Sequence, residues 1–321
     1  MELRQLRYFI AVVEAGAVSR AAEILHIVQP AVSQQLAHLE AELGTKLLIR
    51  SSKGAVPNEA GRALYEHAKF ILRQCDSAKA VLQSSGKLVN GPVSIGLAPT
   101  TAAMLGSELL LAFRKRYPDI IVTLVEAMSG HLDGMLLSHT LDVAILFNER
   151  LPAQVDCESL LTERLFLIRR GARSLPAGRV TLRQASAHAL ILPSRAHGLR
   201  KQLDLAFAHL RLFPQVVAEI DSLALVMEAV QLGIGATIQP WAALGRCAGT
   251  PRGLQVEEIS DPHVVRSNYL CLASKLHATP AAFAARDLVR EVARGLVEGG
   301  RWKGTTLASG VASREAPDQV L

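Results

Sequence analysis

The sequence has no run of 18 or more apolar residues, the length a helix needs to cross a bilayer. Its most apolar candidate, Ala102 to Phe113, carries Glu108 in the middle and is followed by Arg114, Lys115 and Arg116. The first residues hold only the short apolar run Tyr8 to Val13, between Arg7 and Glu14, too little for a secretory h-region. A cytoplasmic protein without a membrane span is the expectation. Cysteine is scarce: Cys75, Cys157, Cys247 and Cys271 stand far apart, with no CxxC pair and no histidine at zinc-ligand spacing. That excludes a zinc ribbon and reads as separate buried thiols in a reducing compartment. P-loop, HExxH and GxSxG signatures are also missing. The fragment Gly233-Ile234-Gly235 follows a helix pattern and precedes a strand pattern, the reverse of a dinucleotide fingerprint. No cofactor, metal site or catalytic constellation is expected, so a non-enzyme is.

What is present is a foldable chain. With 50% apolar and 20% charged residues over 321 positions, a disordered or collagen-like chain is excluded and two or three domains fit. The net charge of +6 permits a polyanionic partner without requiring one, and residues 1–90 carry 11 Lys or Arg against 8 Asp or Glu.

Residues 1–58 read as helices followed by a basic hairpin. Leu6, Phe9, Ile10 and Val13 repeat at helical spacing, and Ala21, Ala22 and Leu25 follow after a break at Gly16, with Ser19 as the expected N-cap. Pro30 suits the first turn of a third helix, about Pro30 to Leu43, where no backbone donor is lost. Val32, Leu36, Leu39 and Leu43 form its apolar face, leaving Gln29, Ser33, Gln34 and Gln35 on other faces near its start. Leu47 to Ile49, Arg50-Ser51-Ser52-Lys53-Gly54 and Ala55-Val56 read as strand, turn and strand with positive charge at the tip. From the N-cap Asn58 a long helix spans 59–88, with Leu64, Ala68, Ile71, Cys75, Ala78 and Leu82 in an a/d seam that suits a partner helix. The alternative is that this stripe packs on the chain's own core.

After Asn90-Gly91-Pro92 the pattern changes to short apolar runs alternating with helix-length segments. Runs at 93–97, 120–125, 141–147, 165–168, 190–192, 216–220, 236–238 and 269–273 are strand candidates, and their alternation with helices indicates a parallel α/β sheet. The pattern alone leaves one large sheet or two lobes open. Residues 299–321, rich in Gly, Ser and Thr without periodicity, are expected to be disordered.

A helix-turn-helix presents the start of its second helix to the major groove, the groove wide enough to admit a helix. Ser19 to Leu43 meets that description. Gln29, Ser33 and Gln34 can hydrogen-bond base edges or phosphates, while Glu40 and Glu42 lie at the far end of the helix. Arg50 and Lys53 in the hairpin suit phosphate contacts. The rival reading is a metabolite-binding protein whose front helices mediate protein contacts only.

The run Leu3 to Phe9, Ala21 to His26, Gln29 to Leu36, Leu39-Glu40, Leu43-Gly44, Leu47 to Arg50 and Ala60-Gly61 resembles the N-terminal signature of LysR-type transcriptional regulators. The wider stretch through Cys75 is similar in particular to their nitrogen assimilation control branch, and the resemblance continues to about residue 298. Leu48 stands where the family often has Phe, and Asn58-Glu59 where Thr is usual. The resemblance implies an α/β multidomain protein: a winged helix-turn-helix, a dimerising linker helix, and a two-lobed effector domain over 89–298. Lobe I would span about 91–160 and 268–298, and lobe II about 161–267. It further implies a dimer or tetramer on promoter DNA, possible contact with RNA polymerase, and approach of Gln29, Pro30, Ser33 and Gln34 to the major groove, with Arg50 and Lys53 as wing contacts.

The effector half carries hydroxyls after its strands. Thr100 and Thr101 follow Ile95 to Leu97, and Ser129, Ser194 and Ser222 stand at similar junctions, where helix starts favour an anion. Each hydroxyl also suits a plain capping role. The resemblance implies that Thr100, Thr101, Ser129 and Ser194 line a cleft for a small co-inducer; the junction at Ser222 and the place of Phe147 after a strand add those two, and the helix starts suit an anionic ligand. Ser194 stands where redox-sensing members have a reactive cysteine, which argues against thiol sensing.

Overall fold

The computed structural model describes residues 1–51, 54–83, 89–147, 152, 155–171, 178–195, 197–245, 253–274 and 278–308. It divides into two compact units, Met1–Lys87 with Ser138–Thr140, and Leu88–Leu137 with Leu141 onward.

The first unit contains α1 (Leu3–Ala15), α2 (Val18–Ile24), α3 (Gln29–Glu42), the hairpin β1 (Leu48–Ser51) and β2 (Gly54–Pro57), and α4 (Glu59–Gln83). Phe9, Val12, Ala21, Val32, Leu36, Leu39 and Leu47 are almost wholly buried in one core. Each large side chain there is worth roughly 1.5–3 kcal/mol of transfer free energy. α1 ends at Gly16 in the left-handed region, φ 70°, where glycine bears no Cβ penalty. The Gly16 carbonyl then accepts the Ala55 N–H at 2.8 Å, tying the hairpin to the end of α1. One expectation fails here. α2 begins at Val18 with Ala17 as N-cap and no side-chain cap, so Ser19 already lies inside the helix. The short connection after Gly16 sets the start of α2 earlier than the hydroxyl suggests.

The second unit contains β3 (Gly91–Leu97), α5 (Pro99–Arg116), β4 (Ile120–Glu126), α6 (Ser129–Leu137), β5 (Val143–Leu146), β6 (Asp156–Arg170), β7 (Arg179–Val180) and α7 (Leu182–Ser186). It continues with β8 (Leu190–Leu192), α8 (Gly198–His209), β9 (Val216–Glu219), α9 (Leu223–Leu232), β10 (Thr237–Pro240), a 3-10 turn (Trp241–Leu244), β11 (Leu254–Ile259), β12 (Val265–Leu272), α10 (Pro280–Glu298) and β13 (Thr305–Leu307).

The main sheet runs β4-β3-β5-β12-β6-β11-β7, with β10 and β13 also on β6, and β8 pairs β9 separately. This corrects the expected parallel sheet. β3 pairs β4 and β5 in parallel, but β12 pairs β5 and β6 antiparallel, and β6 pairs β10, β11 and β13 antiparallel. The long strand β6 is shared: its first part pairs β12 and β13, and its last part pairs β10 and β11. The two lobes therefore share one long strand. Lobe I is packed around Val93, Ile95, Leu105, Phe113, Ile145 and Leu288, and lobe II around Leu165, Leu167, Leu190, Leu203 and Ile238, with Phe166, Val226 and Trp241 on its other side.

Two further expectations are overturned. Cys157 and Cys271 are not separate thiols: they sit opposite each other on β6 and β12 and form a disulfide, at a sequence separation of 114. Residues 301–307 are not disordered. Trp302 is 1% exposed in the lobe I core and β13 pairs β6, because one large indole supplies the apolar anchor that composition hides. Residues 309–321 lie outside the described residues.

Candidate functional sites

The helical face left open in the first unit is the start of α3. Val28, Gln29, Pro30 and Gln34 are exposed and Ser33 is half-buried, while Val32, Leu36 and Leu39 one face away are sealed in the core. Among the described residues no hydrogen bond or ion pair engages the side chains of Gln29, Gln34 or Arg50. Arg50 projects from β1, opposite Ala55, and is exposed; Lys53 lies outside the described residues. Arg7 and Arg20 are exposed as well.

The hairpin is held by buried polar contacts at its base. The Glu40 carboxylate, at the end of α3, is 4% exposed; it accepts the Leu47 N–H at 2.9 Å and the Lys46 ammonium at 3.0 Å. Burial pushes the Glu40 pKa up, but the Leu47 N–H and the Lys46 charge outweigh it and hold the group below the ordinary glutamate range. Asn58 closes the other side: its N–H reaches the Leu47 carbonyl at 3.0 Å, its amide donates to the Lys46 carbonyl at 2.7 Å, and its Oδ1 caps α4 by accepting the Gly61 N–H at 2.8 Å. α4 then passes so close that a Cβ on Gly61 would stand 2.1 Å from the Leu47 oxygen. Glycine is required at that approach.

In the second unit, Arg266 on β12 faces Glu163 on β6 across the shared ladder. Both are buried, at 4% and 1% exposed. Arg266 donates twice to Glu163 Oε2, at 2.9 and 2.6 Å, and Asn268 Nδ2 donates to the same oxygen at 2.9 Å. The Trp302 indole donates to Glu163 Oε1 at 2.9 Å. The Arg266 guanidinium also donates to Thr100 Oγ1 at 3.0 Å and lies 4.1 Å from the centre of the Phe147 ring. Beside this cluster Thr100, His197, Asp221, Gln239 and Arg266 line a cavity of about 20 Å³, room for roughly one water. Burial and the Arg266 charge together push the His197 pKa down, against the pull of Asp221. Its Nδ1 accepts the Leu199 N–H at 3.0 Å.

Comparison with known proteins decides what these two units are. The family described as LysR substrate binding domain matches residues 86–294, and the bacterial regulatory helix-turn-helix protein, lysR family, matches residues 3–62. The chain belongs to the LysR family. Nitrogen assimilation regulatory protein nac from Escherichia coli K12 is 38% identical over 91% of this chain and 95% of that relative, and the nac protein of Klebsiella aerogenes is 37% identical over 90% and 94%. Among solved structures, full-length OxyR from Pseudomonas aeruginosa superposes with a TM-score of 0.71 at 21% identity, covering 92% of this chain and 95% of that one. CbnR, a LysR family transcriptional regulator, superposes at 0.69 and 24% identity, covering 91% and 99%. CbnR has also been solved in complex with its target DNA. These structures show the fold.

This LysR chain is a DNA-binding transcriptional regulator with a helix-turn-helix and a LysR substrate-binding domain. The expected groove residues Gln29, Pro30, Ser33 and Gln34 share the leading turns of α3, with Arg50 on the hairpin nearby in sequence. The linker seam is only partly free. Leu64 packs against the helix-turn-helix core and Ala68 is fully buried, whereas Ile71 and Cys75 are half-buried and Ala78 is exposed; the side chain of Leu82 lies outside the described ones.

Of the expected cleft residues, Thr100 lines the cavity and Phe147 stacks on Arg266. The others make contacts of their own. Thr101 is fully buried, with no partner for its hydroxyl among the described residues, and Ser194 donates its N–H and hydroxyl to Asp221, both at 2.9 Å. Ser222 caps α9 through the Leu225 N–H at 3.4 Å. Ser129 is buried at the start of α6, close enough to Gly198 that a Cβ there would approach its Oγ to 3.0 Å. Sequence reasoning missed Glu163, His197, Asp221, Gln239 and Arg266. Glu163 and Arg266 stand just outside the apolar runs 165–168 and 269–273, in the polar stretches Thr162-Glu163-Arg164 and Arg266-Ser267-Asn268, so no periodicity singled them out.

Proposed function

We propose that this regulator reads duplex DNA with Gln29, Pro30, Ser33 and Gln34 in the major groove, with Arg50 and Lys53 neutralising phosphates beside it. The supporting observation is the open leading turn of α3, whose polar side chains are unengaged while its opposite face is sealed in the core. Amide side chains bond base edges, and the unpaired Arg50 guanidinium on the hairpin supplies the salt-sensitive contact. Enrichment of duplexes from a random pool by the full-length protein, followed by footprinting, tests this reading. A single protected motif supports it; no enrichment over bulk DNA contradicts it.

The regulator further acts as a homodimer or homotetramer on promoter DNA, paired through the part of the α4 seam not spent within the chain, Ile71, Cys75 and Ala78 onward, and presents RNA polymerase with a fixed arrangement. Its substrate-binding domain takes a small anionic metabolite at Thr100, where Arg266 and the start of α5 supply positive potential. A cavity of about 20 Å³ does not admit a carboxylate as it stands, so an anion must part the lobes or draw Arg266 from Glu163. A ligand that binds only one lobe arrangement shifts the balance by its differential affinity. Thermal shift against a panel of small carboxylates tests this arm, since a native-state ligand raises stability by mass action.

A further inference from the structure

The segment Arg301 to Leu307 touches both lobes within seven residues. On the lobe I side, Arg301 pairs with Glu108 of α5 at 2.6 Å, and Trp302 is sealed in the core with its indole N–H on Glu163. β13 then adds a strand to β6, pairing Thr305 with Glu163 and Leu307 with Leu161, and the Gly304 carbonyl accepts the Arg164 N–H at 2.8 Å. On the lobe II side, the Lys303 ammonium lies 4.9 Å from the centre of the Trp241 ring. Gly304, at φ 68°, passes so near Phe166 that a Cβ would stand 2.5 Å from that ring. Phe166 and Trp241 themselves pack edge to face in the lobe II core.

We infer that Arg301–Leu307 is a latch on the interlobe hinge, which fixes the lobe arrangement from outside the cleft through Trp302, Glu163 and Arg266. The hinge is β6 where it changes partners, from β12 and β13 at residues up to 164 to β10 and β11 from 165 onward. The latch pairs with β6 up to that crossing and reaches past it to Phe166. Rotation of one lobe on the other must therefore slide Gly304 against Phe166 or lift Lys303 from Trp241. The same segment holds one oxygen of Glu163, whose other oxygen carries Arg266 and Asn268. Releasing Trp302 removes the donor that fixes Glu163 Oε1, so the carboxylate and the Arg266 it carries can shift together away from Thr100. Outer latch and inner cleft are thus joined through one carboxylate.

The latch bears on the ligand arm of the proposed function but is tested without DNA or ligand, so its failure is distinct from failure of that reading. The experiment is hydrogen exchange by mass spectrometry on the full-length protein and on Gly304→Ala, whose new Cβ cannot coexist with the Phe166 ring. A second variant, Lys303→Ala, alters an exposed side chain and leaves the core intact. Peptides covering 97–101 and 220–223 report the cleft, and the amide of Arg164 reports latch release. The expected result is an increase of about tenfold in exchange at the cleft peptides wherever the Arg164 amide is released, with β3 residues 93–96 unchanged. Release of Arg164 with the cleft peptides at the wild-type rate overturns the latch. So does full protection of Arg164 in both variants, because the segment is then not seated against Phe166 and Trp241. Should Gly304→Ala fail to fold, Lys303→Ala alone decides by the same criterion.

Discussion

The carboxylate of Glu40 and the N–H of Leu47 meet at 2.9 Å, linking the last turn of the exposed helix α3 to the first residue of the chain entering the hairpin. The two elements that would flank a DNA groove are therefore set relative to one another by a buried charged hydrogen bond. Removal of the acceptor leaves the Leu47 N–H buried and unsatisfied. Glu40→Ala is expected to lose about 1–3 kcal/mol in urea unfolding. DNA binding should weaken beyond the loss explained by unfolded protein. Equal affinity per folded molecule would show that the hairpin is placed without Glu40.

The pH dependence of that contact has a definite sign. Glu40 is held below its ordinary value, so the stability it contributes is complete above the ordinary glutamate range and is lost as pH falls through the depressed value. Wild type and Glu40→Gln should converge in stability as acid is added. A constant gap between them across the acidic range would contradict this assignment.

Gly61→Ala tests the close passage of α4 over the Leu47 carbonyl. At 2.1 Å the new methyl meets a backbone oxygen rather than a flexible side chain, so the helix start must move. Overpacking of this kind costs roughly 1–3 kcal/mol. A thermal midpoint equal to wild type would mean that α4 begins farther from the hairpin.

His197 carries a pH dependence in the cleft. Burial and Arg266 depress its pKa, so the folded chain favours the neutral ring; the resulting stability is full above the ordinary histidine range and falls as pH drops through that range toward the depressed value. His197→Gln should flatten the difference in unfolding free energy between neutral and mildly acidic buffer. Identical pH profiles would exclude a ring held neutral by its surroundings.

How much of this was legible in the sequence depends on sequence distance. The buried face Val32, Leu36 and Leu39 follows from spacing, and so does the open polar start of α3, because both are properties of one helix; Leu43, read on the same face, is exposed because the helix ends at Glu42. The Asn58 cap is equally local. The cleft is not. Glu163 and Arg266 are 103 residues apart, and Cys157 and Cys271 are 114 apart; both pairs depend on the antiparallel pairing of β6 with β12, which no local periodicity encodes. Expecting a parallel sheet hid that pairing. Trp302 was lost for another reason: one indole in a Gly, Ser and Thr-rich stretch anchors a segment whose average composition reads as disordered.

The disulfide offers a direct check of the ladder. In a digest made without reductant, peptides containing Cys157 and Cys271 should appear as one linked species, with Cys75 alkylated. Separate alkylated peptides from protein purified without reductant would mean that the two strands carry free thiols.

DNA affinity as a function of salt, measured for wild type, Gln34→Ala and Arg50→Ala on a duplex the wild type has selected, bears most directly on the role of α3 and the hairpin. Arg50→Ala should weaken binding to all duplexes and reduce the salt slope by about 1. Gln34→Ala should cost about 1–3 kcal/mol on the selected duplex, with little change on random DNA and an unchanged slope. Wild-type affinity and slope in both variants would contradict the assignment of this face to DNA.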